Sequence, residues 1–287
     1  MILNRKPLKI CFVSMILCNA NCGITNELNF YFNLQKITFM KKIILSVLSC
    51  ILFVGTVFSQ SSKIPLIGSK APSFTEESTN GPITFPNDFG KNWKILLSHP
   101  QDFTPVCSSE LLELAYMQKE FEELGVKIAV ISTSDLALHR MWKTHLEELD
   151  YKGRGPQKIE FPLIDDHQFV GSRKYGMLHE PVSTSKDVRG VYIIDSNNIV
   201  RSINFYPMEI GRNMKEIERM VVALQTSDKA SVLTPANWNP GDDVMVGHFP
   251  YTEKELVDNP QLKEDYYNVG NRMWFKKADK LGLDLKN

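Results

Sequence analysis

Ser98-His-Pro-Gln-Asp-Phe-Thr-Pro-Val-Cys-Ser-Ser-Glu-Leu-Leu112 joins an apolar run, Trp93 to Leu97, to an apolar-periodic run that continues to about Leu124. That sequence of signals is a buried strand, a loop and the start of a helix. Thr104 suits the N-cap, where its hydroxyl would accept a free amide of the first turn. Pro105 suits the first helical position, where a missing N–H is no loss. Cys107 is then the third helical residue. First-turn amides and the positive end of the helix dipole favour an anion there, so the expected species is a thiolate, the nucleophilic form of cysteine. Against this stands the ordinary role of a lone cysteine, a small buried hydrophobe without chemistry. The Pro-Val-Cys helix start favours the reactive reading.

Strand signals on either side of this stretch extend the pattern. Val126–Ser132 reads as a second buried strand, and a helix is expected from a cap at Asp135 to Leu149. Tyr151–Ile159, with two glycines and a proline, reads as a loop, Phe161–Asp165 as a short strand, and Asp165 or Asp166 as cap of a helix reaching Met177. Val188–Asp195 and Ile199–Tyr206 flank the polar Ser196-Asn-Asn198 as a β-hairpin, and Asn213–Thr226 carries apolar residues at helical spacing. Alternating strands and helices predict a parallel core, and the hairpin adds antiparallel strands to it. The fold class is therefore α/β, a mixed central sheet flanked by helices. Adjacent Asp165, Asp166 and His167 do not converge on one ion, so capping is preferred to metal binding there.

Of 287 residues, 43% are hydrophobic, ample for a large core, and 33 basic residues balance 33 acidic ones. That balance, with no clustered basic face, excludes a nucleic-acid footprint. Four cysteines, Cys11, Cys18, Cys22 and Cys50, precede residue 60, and Cys107 stands alone after it, so no disulfide framework is available to the globular part. Met40 to Ser59 has a basic start, an apolar stretch and small or β-branched residues before Gln60, the grammar of a secretory signal peptide. The expected organisation is a leader at 1–59, with 1–39 as upstream translation and 40–59 as the signal, then a globular domain at 60–234 and a polar, aromatic extension at 235–287. Export to the periplasm or the exterior follows from that leader; cytoplasmic residence is the alternative.

The central stretch resembles the peroxiredoxins, whose motif Pro-x-x-x-Thr-x-x-Cys is met by Pro100, Thr104 and Cys107. His99 before Pro100, and Thr234-Pro-Ala-Asn-Trp238 with Gly241-Asp242 and Val244-Met-Val246 in the extension, resemble the one-cysteine, peroxiredoxin-6-type branch. The resemblance implies a thioredoxin-like fold and a thiol-dependent peroxidase that reduces hydrogen peroxide and organic hydroperoxides. It implies a sulfenic acid on Cys107, restored by an external thiol of the thioredoxin, glutathione or small-thiol type, and a homodimer or larger assembly. The Thr104 hydroxyl, the Arg189 guanidinium and the Cys107 amide are the candidates to stabilise charge on the departing oxygen, without any metal or organic cofactor. A sensor or chaperone-like binding protein on the same fold is the alternative, distinguished by reacting with peroxide once instead of many times.

The remaining candidates are carried by the resemblance or by chemistry. Arg189 heads the apolar strand Val188–Ile194, where a charge is either paired in a buried site or solvated at a strand end; the resemblance makes it the active-site arginine. Arg212 matches a second family arginine. Glu110 either orients one of them or is a first-turn glutamate favoured by the dipole. His99 is either a group titrating near neutral pH beside the site or a satisfied strand-end histidine. His139, His145, His167, His179 and His248 show no ligand spacing and receive no role. Two departures from the family stand out: Gln101 replaces a basic residue, and Gly90-Lys-Asn-Trp-Lys94 replaces the Gly-x-Ser-x-Gly segment associated with phospholipase activity in some relatives.

Overall fold

The computed structural model describes residues 39–42, 64–270 and 272–283. Apart from 39–42, the expected leader lies outside the described residues, as do its four cysteines. Residues 61–287 form one compact unit.

A small antiparallel pair opens this unit, β1 (Phe74–Glu76) with β2 (Ile83–Phe85). The core then follows as β3 (Trp93–Ser98), α1 (Pro105–Glu123), β4 (Val126–Ser132), α2 (Leu136–Glu147), β5 (Leu163–Asp165), α3 (Val170–Lys174), β6 (Arg189–Ile194), β7 (Val200–Tyr206) and α4 (Met214–Ala230). Its five strands lie in the order β5-β4-β3-β6-β7. The first three run parallel, and β6 runs antiparallel to both β3 and β7. This is the mixed α/β sheet anticipated from the alternating strands and helices.

β3 reads as a continuous apolar run because both of its faces are covered. Ile95 and Leu97 point into one layer with Leu111, Leu114 and Phe121 of α1, Trp142 of α2 and Ile217 of α4. Leu96 points into the other, with Phe74, Phe85, Tyr175 and Tyr192. α1 buries Cys107, Glu110, Leu111, Leu114 and Phe121 at helical spacing, so a thiol and a carboxylate share the helix's apolar stripe. A carboxylate placed there demands partners, which determines much of the site.

Two local expectations are corrected. Only Leu163–Asp165 of the expected strand Phe161–Asp165 pairs, since Pro162 has no N–H to offer a ladder. The helix expected up to Met177 shrinks to Val170–Lys174: Phe169 enters it with φ 63°, and Gly176 leaves it with φ 60°. Neither Asp165 nor Asp166 is its N-cap. Asp165 accepts the Leu136 amide of α2 at 2.9 Å, whereas Asp166 accepts the Gly171 and Ser172 amides of α3 at 2.9 and 2.6 Å. His167 Nδ1 lies 2.7 Å from Asp165, and no metal-holding group of acids, histidines or cysteines occurs among the described residues.

The extension contains β8 (Val244–Val246), α5 (Glu253–Asp258), β9 (Tyr266–Val269) and β10 (Met273–Lys276), with the strands ordered β8-β10-β9. Trp238, Val244 and Leu281 pack against Val222 and Ala223 of α4, so the extension shares a small core with the main domain's last helix.

Candidate active site

The loop between β3 and α1 brings Cys107 to the third position of the helix, as Pro105 at the first position dictates. The cysteine is fully buried. Thr104 is the N-cap residue, but its hydroxyl does not cap: it donates to the Gln101 carbonyl at 2.9 Å, and no side-chain bond reaches the first-turn amides. The first helical bond instead runs from the Ser108 amide to the Thr104 carbonyl, at 2.9 Å. The expected hydroxyl cap is therefore corrected. Pinning the loop through Gln101 leaves the Val106 and Cys107 amides, the first that the helix has after Pro105, free of the Thr104 side chain. Phe103, just before it, has φ 55°, a left-handed conformation that is costly for a bulky residue.

Arg189 begins β6 and reaches across to α1. Its Nη1 lies 3.2 Å from Cys107 Sγ and 2.7 Å from a Glu110 oxygen, and its Nε donates to the Met208 carbonyl at 2.8 Å. Arg212 completes the cage around Glu110. Its amide and Nε donate to Oε1 at 2.7 and 2.9 Å, its Nη2 to Oε2 at 2.7 Å, and its Nη1 to the carbonyls of Ser98 and Gly190. Burial acts to raise the Glu110 pKa, but the charge and hydrogen bonds of Arg212, helped by Arg189, outweigh it and hold the carboxyl below its ordinary range. Of the open readings, Arg189 is the paired, buried arginine, and Glu110 is buried and accepts from both guanidiniums instead of standing exposed in the first turn. Two guanidiniums thus share one carboxylate, and one of them, Arg189, also faces the sulfur.

His99 and Pro100 are buried in the loop leaving β3. His99 Nε2 lies 2.8 Å from Asp102, and burial pushes the imidazole below its ordinary range against that hydrogen bond. It is a buried strand-end histidine satisfied on one side only, since its Nδ1 has no hydrogen-bond partner among the described residues, and its shift runs away from the charged form. Asp102 also meets His139 Nδ1 at 2.7 Å, and His139 Nε2 faces the Ile164 carbonyl at 3.1 Å. Burial raises the Asp102 carboxyl, but the hydrogen bonds from His139 and His99 prevail and hold it well below the carboxylate range. Ligand spacing gives His139 no role. Its signal is different: with Trp142 and Leu146 it lies on the buried face of α2, a polar residue on an apolar stripe.

At the opposite end of β3, Asn92 donates to the Phe89 carbonyl at 3.0 Å, and buried Lys94 donates to the Gly90 carbonyl and the Asn198 side chain at 2.8 and 2.6 Å. Those groups take part in turn and strand packing, remote in the sheet from Cys107.

The chain is similar to known proteins. Residues 67–203 match the AhpC/TSA family, and residues 223–255 match the C-terminal domain of 1-Cys peroxiredoxin. A peroxiredoxin of Methanosarcina mazei is 44% identical over 203 residues, covering 70% of this chain and 92% of the relative. The chain belongs to the peroxiredoxin family. Among solved structures, the peroxiredoxin 6 of Arenicola marina, as a cysteine-to-serine mutant, superposes with a TM-score of 0.66 at 29% identity, covering 75% of this chain and 99% of that one. A yeast mitochondrial 1-Cys peroxiredoxin, described with a thiol resolved via glutathione/thioredoxin systems, gives 0.63 at 32% identity, covering 75% and 100%. The sheet described above is the thioredoxin-like sheet of these peroxiredoxins. As a peroxiredoxin, the chain is a thiol-dependent peroxidase.

Proposed function

We propose that this peroxiredoxin reduces hydrogen peroxide and organic hydroperoxides by a one-cysteine cycle on Cys107. The carrying observation is the Arg189 guanidinium 3.2 Å from a buried sulfur at the third position of a helix. The thiolate attacks one peroxide oxygen; an S–O bond forms as the O–O bond breaks, and the departing oxygen takes up a proton to leave as water or alcohol. Arg189 and the free first-turn amides stabilise the negative charge as it moves from sulfur to the departing oxygen. Thr104 holds the loop that faces this reaction, and Pro100 and His99 shape its floor. Cys107 is left as a sulfenic acid.

Only Cys107 follows residue 60, so the mature chain supplies no resolving thiol, and an external one must attack the sulfenic acid. That thiol expels water and forms a mixed disulfide; a second thiol then releases Cys107 and carries away the disulfide. Thioredoxin or glutathione suits this role, in line with the yeast relative's glutathione/thioredoxin systems. Steady-state turnover with hydrogen peroxide, comparing thioredoxin, glutathione and dithiothreitol as donors, tests the cycle. Sustained turnover supports it, and a single turnover per chain in all three would favour a sensor.

The working protein is further proposed to start near Gln60 after cleavage of the Met40–Ser59 signal, to lie outside the cytoplasm, and to form at least a homodimer. Mass spectrometry of the protein recovered from a fractionated bacterial host tests the first two, and sedimentation tests the third. A mature chain that retains Met40–Ser59 would refute the processing.

A further inference from the structure

The β3–β6 backbone ladder ends at the pair Leu97 and Val191. One residue beyond it, a side chain takes over. Ser98, fully buried, donates from Oγ to the Val188 carbonyl at 2.7 Å and accepts the Gly190 amide at 2.8 Å. The Gly190 amide also points at the Val188 carbonyl, 3.1 Å away, which closes a three-residue turn with Arg189 at its centre. A single hydroxyl therefore bridges both ends of the turn that presents Arg189. Alanine offers neither the donor nor the acceptor.

The same residue reaches the second arginine, because the Ser98 carbonyl accepts Arg212 Nη1 at 2.9 Å beside the Gly190 carbonyl at 2.8 Å. Gly190 is what lets the hydroxyl approach: a Cβ there would stand 2.9 Å from Ser98 Oγ and 3.2 Å from the Phe205 ring. We infer that Ser98 is a positioning residue for peroxide reduction, its hydroxyl clamping the turn on which Arg189 stands and so fixing where the guanidinium meets the Cys107 sulfur. This rests on the role proposed above for Arg189. A hydroxyl that merely satisfied a buried strand end would not act through one particular arginine, and that difference is measurable.

The test is a double-mutant cycle on the second-order rate constant for hydrogen peroxide, read by competition with catalase, using the full chain with Ser98→Ala, Arg189→Ala and the pair. Ser98→Ala alone is expected to lower the rate about 10- to 100-fold, the scale of a small misplacement of a reacting group. In the Arg189→Ala background the same change is expected to alter the rate less than about twofold. A near-wild-type rate for Ser98→Ala, or an equal fold-loss in both backgrounds, would overturn the inference. If circular dichroism shows that Ser98→Ala does not fold, Gly190→Ala, which displaces the hydroxyl from the other side, is read in the same two backgrounds with the same criteria. A wild-type rate for Arg189→Ala would overturn the Arg189 reading itself and this inference with it, whereas loss in Arg189→Ala with none in Ser98→Ala overturns only the clamp.

Discussion

Arg189 Nη1 lies 3.2 Å from Cys107 Sγ and 2.7 Å from Glu110, so one guanidinium nitrogen, with its two hydrogens, links the buried sulfur to the carboxylate. Glu110, one turn after the cysteine, takes the charge of Arg189 and Arg212 together. Removing it strands two buried cations. Glu110→Ala should therefore cost about 3–5 kcal/mol in urea unfolding, the scale for breaking a buried ion pair. Glu110→Gln should fall between it and the wild type. A loss below about 1 kcal/mol in Glu110→Ala would show that the cage is solvated.

Cys107→Ser should abolish peroxide turnover, because a hydroxyl is scarcely ionised at neutral pH and no second cysteine follows residue 60. Thr104→Val should lower the rate about tenfold through loss of the bond to the Gln101 carbonyl, while Pro105 and the Ser108 amide keep the helix start. Stopped-flow kinetics with far-ultraviolet circular dichroism separates the two effects. Turnover by Cys107→Ser would end the reading of Cys107 as nucleophile.

What the sequence made legible was whatever local pattern controls. Val126–Ser132 reads as a buried strand and is one, residue for residue, because β-branched runs covered on both faces need no long-range information. Pro105 likewise places Cys107. Thr104 carried the right position and the wrong direction, since whether a hydroxyl donates or accepts depends on the loop around it. Ser98 and His139 were invisible for another reason: their partners, Val188 and Asp102, lie 90 and 37 residues away. A polar residue on an apolar stripe hints at such a partner without naming it.

Lipid hydrolysis should be undetectable. Asn92 stands where the lipase-type serine of some relatives falls, an amide is no nucleophile, and here it is occupied by the Phe89 carbonyl. Release of fatty acid from phosphatidylcholine vesicles is the measurement. Activity that survives Cys107→Ser would reveal a second site.

A sulfenic acid without a resolving partner must wait, and while it waits a second peroxide can oxidise it further. Turnover should fail progressively when peroxide is high and thiol scarce, with two or three oxygens added to the Cys107 peptide by mass spectrometry. A stoichiometric disulfide between two Cys107 residues formed during turnover would require a different cycle.

A pH dependence should arise away from the sulfur, at Asp187, two residues before Arg189. Ser172 Oγ lies within hydrogen-bond distance of both Asp166 and, at 2.9 Å, Asp187, and a hydroxyl has one proton for two carboxyls. One carboxyl must therefore supply its own. Burial raises both carboxyls, but Asp166 accepts the Gly171 and Ser172 amides whereas Asp187 Oδ1 has no partner among the described residues and Asp187 is pushed well above the carboxylate range, so Asp187 is assigned the proton. In the unfolded chain its pKa is about 3.9. Between that value and the raised native one, the folded state binds the extra proton, so this contribution to stability is full below about pH 4 and declines as pH rises, by roughly 1.4 kcal/mol per unit. Asp187→Asn keeps a donor to Ser172 and removes the titration. Urea unfolding of both proteins from about pH 4.5 to 8, at fixed protomer concentration, should show the wild type losing stability relative to Asp187→Asn as pH rises, until the native carboxyl ionises. Parallel curves across that range would mean that Asp187 is charged in the folded protein and that the shared proton belongs to Asp166.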